Sequence, residues 1–489
     1  MKQIFFSLTL ICCLLCNFAT AQYTFNKQYD YYVDASSNVI ETNDGYISAI
    51  SAWYNFNTIY LVVNKVDKKG DTVFQKVYGV LDNDNYEVYT IQQVEDSNYI
   101  IGTLYSDSTG YADNFLIKVD KHGDSIWMRR HHAPQGYLYF PGHVNIASNG
   151  DYLIASNIMD SIGDDVNGGI AKYDSSFNLS FITYFGGIYD DNLLDAIELP
   201  DHSIMAVGWT RSYGFGNPSN RDIYLVKTDS AGNLIWQKTF GNSDFESANT
   251  ICPTLDGNYI VTGGHRPGGQ PNPYKTYLIK VDTAGKKIWE KTFLFSGQND
   301  CHRLRELANG DLIGCGVGTY NGQEGGLIFN LDSTGKEQWH RLYTVNSSNA
   351  IFRDIRATTD GGFICAGFAF VGNSGNQDAL LVKVDSLGCD SAGCPLYTAI
   401  EETTSAPSIT NEVRCNPNPC GDFAHIHTRM LSIYGLVLFD INGREVAIRH
   451  RTTSHNSIQL DTSVLTVSIY VAKILTDGGD LYVRVVKGN

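Results

Sequence analysis

Hydrophobic and polar positions along the chain alternate in short bursts. Runs rich in Tyr, Ile, Val and Leu are separated by Gly, Asn and Asp, and none carries the stripe of a long amphipathic helix. Period-2 runs bounded by turn residues predict strands. From Ala248 onward four runs follow in succession, "ANTICPTL", "YIVTGG", "TYLIKVD" and "KIWEKTF". The first two are joined by "DGN", where Gly257 accepts the positive φ of a tight hairpin turn.

The same order returns along the chain. An aspartate closing the third run, followed by a turn and an aromatic strand, falls at Asp67, Asp120, Asp174, Asp229, Asp282, Asp332 and Asp385, in steps of 53, 54, 55, 53, 50 and 53 residues. A fixed period in this range marks a repeat architecture. Four antiparallel strands per repeat predict an all-β fold, a seven-bladed β-propeller over residues 22–396. A single sandwich core stops growing near about 250–300 residues, too few for this stretch. The last repeat breaks off after Gly388, whereas "QYTFNKQY" from Gln22 has the character of "WQKTF" in the fourth unit. Tyr23 to Tyr29 is therefore expected to supply the missing outer strand and close the ring. Trp127, Trp236, Trp289 and Trp339, at one fixed place in the repeat, are expected to pack between neighbouring blades.

These units resemble the β-propeller repeats of exported bacterial proteins, "DGNYIVTGG" followed by "YLIKVDTAGKKIW" being the clearest copy. The resemblance implies a fold and no particular activity. The Asp boxes of sialidases follow Ser-x-Asp-x-Gly-x-x-Trp, but here Gly232 stands three residues after Asp229 and Trp236 seven. The tryptophan-docking repeats of quinoprotein dehydrogenases are one residue longer than "DSTGKEQW". No catalytic set is carried over from either.

The two ends carry addresses. Lys2, an apolar run from Ile4 to Cys16 and the triplet Ala19-Thr20-Ala21 form a signal peptide over residues 1–21, with cleavage expected between Ala21 and Gln22. No later segment has the roughly 20 consecutive apolar residues of a membrane-spanning helix. Without residues 1–21 the formal charge is 35 − 52 = −17, which argues against nucleic acid as a partner. Three of the 11 cysteines fall in the signal; the other eight lie at or after Cys252, and the pairs Cys389/Cys394 and Cys415/Cys420 are close enough to close small loops. A polar linker rich in Thr and Ser spans residues 397–413, and alternating runs over residues 414–489 predict a small β-sandwich. This tail resembles the C-terminal sorting domain of the type IX secretion system, on Pro417-Asn418-Pro419, the turn Asp440-Ile441-Asn442-Gly443-Arg444, and Lys487 near the end. It departs at Ser468-Ile469-Tyr470, where the family has Gly-x-Tyr. The resemblance implies the type IX machinery as a partner and a secreted or cell-surface location.

Chemistry is sparse. Nucleophile-elbow, Walker-type and zinc-protease motifs are missing, and the twelve histidines show no metal spacing. No cofactor and no catalysis are expected. Loops joining fourth to first strands carry Asp84, Asp190, Asp244 and Asp300. Converging acids of this kind would hold a hard cation such as calcium, although each also suits capping of its own loop. The second-to-third loops carry Trp53, Tyr54, Trp209 and Tyr213, whose flat faces suit sugar rings. The expected function is binding of a glycan or surface protein, against two alternatives: an enzyme acting on polysaccharide, and an architectural component of the surface.

Overall fold

The computed structural model describes residues 23–29, 33–55, 58–79, 85–94, 97–107, 112–135, 137–160, 166–215, 220–268, 273–295, 297–320, 323–344, 349–371, 376–390, 413–416, 420–428, 432–440, 444–476 and 479–487. The signal peptide, the cleavage point at Ala21 and Gln22, and the linker up to residue 412 lie outside them. The chain divides into two compact units, residues 1–400 and 401–489.

Among the described residues of the first unit the period-2 runs form seven four-stranded antiparallel arrays, numbered blades 1 to 7 in chain order. Blades 1 and 2 share one sheet through a single parallel pair, Ile59 with Asn85. Each inner strand packs against the inner strands of its neighbours, and Val33–Thr42 of blade 1 packs against all three chain-consecutive strands of blade 7. The arrays therefore close on themselves as an all-β propeller. Between blades lie apolar layers such as Met205, Val207, Ile223 and Leu225 of blade 4 against Ala248, Val261 and Ile279 of blade 5. The middle strands are buried on both faces, as Asp222–Thr228 is at every residue, and so read as nearly continuous hydrophobic runs, whereas outer strands such as Thr72–Tyr78 are partly exposed.

The N-terminal strand Phe25–Tyr29 is the outer strand of blade 7, paired antiparallel with Asn376–Val384 from Phe25↔Lys383 to Tyr29↔Ala379. The repeated aspartate closes the third-to-fourth turn: Asp229 Oδ1 accepts the N–H groups of Ala231 and Asn233 at 2.9 and 2.8 Å. The turn glycine, two residues before the fourth strand, has a specific load. A Cβ on Gly285 of blade 5 would meet the Trp236 ring of blade 4 at 2.6 Å, and its φ is +68°. The same stacking places Phe74 on Gly123, Trp339 on Gly388 and, across the closure, Phe25 on Gly70. In blade 3 a phenylalanine takes the glycine's place: Phe177 sits at φ 66° with its ring stacked 6.5 Å from that of Trp127.

The second unit is two four-stranded antiparallel sheets. One contains Val413–Asn416, Phe423–Thr428, Ser457–Asp461 and Arg449–Ser454; the other contains Glu445–Val446, Ile433–Phe439, Ser468–Thr476 and Gly479–Lys487. They share a core of Ala424, Ile426, Leu438, Leu460, Ala472 and Ile474. Cys415 and Cys420 are buried free thiols, whereas Cys389 of the first unit is disulfide-bonded. Cys394 lies outside the described residues.

Candidate functional site

Of the four aspartates singled out from the sequence, the three described ones, Asp190, Asp244 and Asp300, sit in three different settings. Every inner strand carries a bulge, and counted from it Asp244 stands four residues before Ala248, Asp190 three before Leu193 and Asp300 one before Cys301. Similar places in the sequence are thus different places on the ladder, since one residue of slip moves a side chain to the other face. Asp190 is neutralised by Arg211 at 2.6 Å. Asp300 accepts the Asn249 amide at 3.4 Å, and burial pushes its pKa up to about 6. Asp84 lies outside the described residues.

Asp244 instead meets two residues that the sequence did not point to. His265 Nε2 stands 3.1 Å from Asp244 Oδ2 and 3.4 Å from Glu246 Oε1. Register explains the meeting. Glu246, in the first strand of blade 5 (Phe245–Pro253), pairs with His265 in the second (Tyr259–Arg266), and Phe245 pairs with Arg266. Side chains alternate along a strand, so the same strand ends present two faces. Asp222 adjoins the first face from the third strand of blade 4, Asp222–Thr228. A Cβ built on Gly241 would collide with Asp222 Oδ1 and lie 3.0 Å from Glu246 Oε2, so the two carboxylates border one small space.

The electrostatics of this rim pocket are unusual. Asp222 and Glu246 are each 1 % exposed, and Asp222 Oδ1, Glu246 Oε2 and His265 Nδ1 have no hydrogen-bond partner among the described residues. Burial, with the Asp222 and Asp244 charges beside it, pushes Glu246 up to about 8. Burial pushes Asp222 up to about 6, while Asp244 is held below its ordinary value by the Gly268 N–H and by His265. Blade 2 shows the ordinary solution. Asp113, seven residues before Asp120 as Asp222 is before Asp229, receives the Arg130 guanidinium and the Ala133 N–H. That engagement also absorbs part of the "RRHH" run at Arg129 to His132. Among the described residues no Lys or Arg forms an ion pair with Asp222 or Glu246.

The second face is a ladder of guanidinium groups and rings. Arg221 lies 3.7 Å from the centre of the Trp209 ring and 5.4 Å from that of Phe245; Arg266 lies 6.0 Å from Phe245 and 3.6 Å from Tyr274. All five side chains are half-buried. Trp209 was legible as a loop aromatic, but it belongs to the strand Ile204–Thr210, and Arg221 over its ring links it to Phe245 of blade 5. Tyr213 is exposed and borders an open cavity of about 290 Å³ with Tyr224, Gln237 and Lys238. Trp53 and Tyr54 end the strand Gly45–Asn55, and their side chains lie outside the described residues.

The ring's axis carries a separate ionic network. Asp354 of blade 7 is 0 % exposed and faces Arg305 at 2.9 Å, Arg356 at 3.4 Å and Arg303 at 3.6 Å. Arg303 also reaches Asp195 of blade 4 at 3.6 Å, and Asp195 accepts the Asn145 amide of blade 3 and the Ile251 N–H of blade 5. These contacts cross the ring and tie five blades together.

In the C-terminal unit the Asp440 turn is closed at both ends: Arg444 N–H donates to Asp440 Oδ1 and Asp440 N–H to the Arg444 carbonyl, both at 2.9 Å. Lys487 Nζ donates to the Gly421 carbonyl at 2.7 Å, and Cys420 bridges Lys487 in parallel. Pro417, Asn418, Pro419 and Gly443 lie outside the described residues. Residues 415–487 match the family of secretion system C-terminal sorting domains. That sorting domain marks export by the type IX system to the cell surface or beyond. No curated protein matches the chain in sequence. Solved structures resemble it in fold. A protein of unknown function from Dyadobacter fermentans is 11 % identical with a TM-score of 0.40, over 61 % of this chain and 94 % of its own. The β-propeller domain of the Trilobed protease from Pyrococcus furiosus is 8 % identical with a TM-score of 0.42, over 75 % and 100 %. An ulvan lyase of polysaccharide lyase family PL25 is 10 % identical with a TM-score of 0.46, over 74 % and 96 %. Among the described residues no helix is long and apolar enough to cross a membrane.

Proposed function

We propose that the propeller is an extracellular binding module for a glycan, engaged on the rim of blades 4 and 5, and that the sorting domain delivers it there. The observation that supports this reading is the half-exposed ladder Trp209, Arg221, Phe245, Arg266 and Tyr274. Aromatic faces offer flat apolar area to sugar rings, and guanidinium groups held by stacking are pre-arranged donors to hydroxyl, carboxylate or sulfate groups. Stacking also lowers the entropy lost when those arginines grip a ligand. The reading is binding without catalysis.

The test is a polysaccharide panel that includes uronic and sulfated polymers, scored both for retention of the chain and for released sugar. Saturable retention is expected, weakened about tenfold, or about 1.4 kcal/mol, by Arg221→Gln or Arg266→Gln. Retention by no polymer would overturn the glycan reading in favour of a protein partner. Released product would make the propeller an enzyme.

A further inference from the structure

We propose that Asp244, Glu246 and His265 form a binding site for a first-row divalent metal ion of the zinc type, at the junction of blades 4 and 5. One ligand atom from each lies within 4.8 Å of the others. The two recorded separations from His265 Nε2, 3.1 Å and 3.4 Å, suit one ion. Bonds of about 2.1 Å in a tetrahedral arrangement place ligand atoms about 3.4 Å apart. The imidazole decides the class of ion, because nitrogen donors favour zinc, cobalt or nickel, whereas calcium and magnesium take oxygen.

The acids alone would not make a site. The second observation is the set of buried atoms with nothing to bond. Glu246 and Asp222 are 1 % exposed, and Glu246 Oε2 and Asp222 Oδ1 border the same space beside Gly241 without a donor. An orphaned buried polar atom destabilises the fold, and protein interiors normally satisfy such atoms or place an ion between them. The equivalent acid in blade 2, Asp113, has Arg130; the blade 4 and 5 junction has three carboxylates and a histidine, and among the described residues no Lys or Arg is paired to Asp222 or Glu246. A divalent cation supplies the missing charge. Asp244 and His265 reach the pocket from a connecting loop and from a strand end, so an ion would be contacted from the rim without opening the core. Asp222 completes the set from blade 4, either as a fourth ligand or through a bound water. The ion would then join two blades that otherwise meet there through two buried carboxyl groups.

The full chain, stripped with a chelator and desalted, is to be titrated separately with zinc, cobalt and calcium, and followed by bound-ion stoichiometry, melting temperature and the visible absorption of cobalt. One zinc ion per chain is expected, with a higher melting temperature and cobalt bands diagnostic of nitrogen and oxygen ligation. His265→Ala and Asp244→Asn should each weaken zinc binding by at least about 100-fold, more than the loss of an outer-shell partner. Asp244 sits in a connecting loop outside the core, so Asp244→Asn keeps the fold and serves as control if His265→Ala does not. Absence of zinc binding, binding of calcium alone, or zinc retained unchanged by both variants at some other histidine would overturn the proposal.

Discussion

At the scale of single residues, the buried charges separate into those that have partners and those that do not. Asp354 is of the first kind. Burial alone would push its carboxyl up, but Arg356, Arg305 and Arg303 offset that and hold it well below the usual carboxylate range. A carboxyl depressed in the folded state contributes stability that is fully present above the unfolded value of about 3.9 and is lost as pH falls through the folded one. Asp354→Asn leaves the buried Arg303 and the half-buried Arg305 and Arg356 short of a counter-charge and should cost about 3 kcal/mol near neutral pH. Denaturant melts between pH 8 and pH 3 check this. The gap between the parent and the variant should stay level down to about pH 4 and narrow below it. A gap that widened in acid would contradict the assignment of Asp354 as the anion of the channel.

At the scale of the element, the repeat unit is a strand-turn-strand whose turn is built to receive a neighbour. The aspartate caps the turn, and the glycine is left bare because an aromatic from the preceding blade lies directly on it. Trp236 over Gly285 is the clearest pair, at 2.6 Å from where a Cβ would stand and with φ at +68°. Gly285→Ala meets both obstacles: the left-handed backbone costs a residue with a Cβ about 1–2 kcal/mol, and the indole must move as well. A loss of about 2–3 kcal/mol is expected by chemical denaturation; a loss under about 0.5 kcal/mol would mean that the indole is not seated on the turn. Blade 3 reaches the same end by another route. Phe177 accepts the strained φ and repays it by stacking on Tyr173 at 4.2 Å and on Trp127.

At the scale of the whole molecule, the ring is held by closure. The strand Phe25–Tyr29 belongs to blade 7 by pairing and touches blade 1 through Phe25 on Gly70 and the Tyr29 hydroxyl on the Gly70 carbonyl at 2.7 Å. One short strand thus joins the beginning of the propeller to its end, and its removal exposes an unpaired edge in Asn376–Val384. Deleting residues 22–29 should lower the melting temperature by several degrees or more and promote association through that edge. A deletion variant that melts with the parent and stays monomeric would show that blades 1 and 7 hold together without it.

The all-β class, the closing strand and the sorting tail were legible in the sequence, because each rests on local rules. Period-2 alternation makes strands, Asp and Gly at fixed offsets make turns, and Asp440 and Arg444 make a turn with its own hydrogen bonds. The rim pocket was not legible in the same way. Asp244 was visible as a loop acid, but nothing local joins it to His265, 21 residues on, until the pairing of Glu246 with His265 sets the register. The bulges that shift Asp190 and Asp300 to other depths are equally non-local. Arg221 and Arg266 are set over Trp209 and Tyr274 within their own blades, and only the packing of blade 4 on blade 5 brings Arg221 to Phe245 and joins the two halves into one ladder. Local sequence specifies where the chain turns and which side chains alternate. Which side chains from different blades share a space is decided by long-range pairing, where one residue of register changes every neighbour.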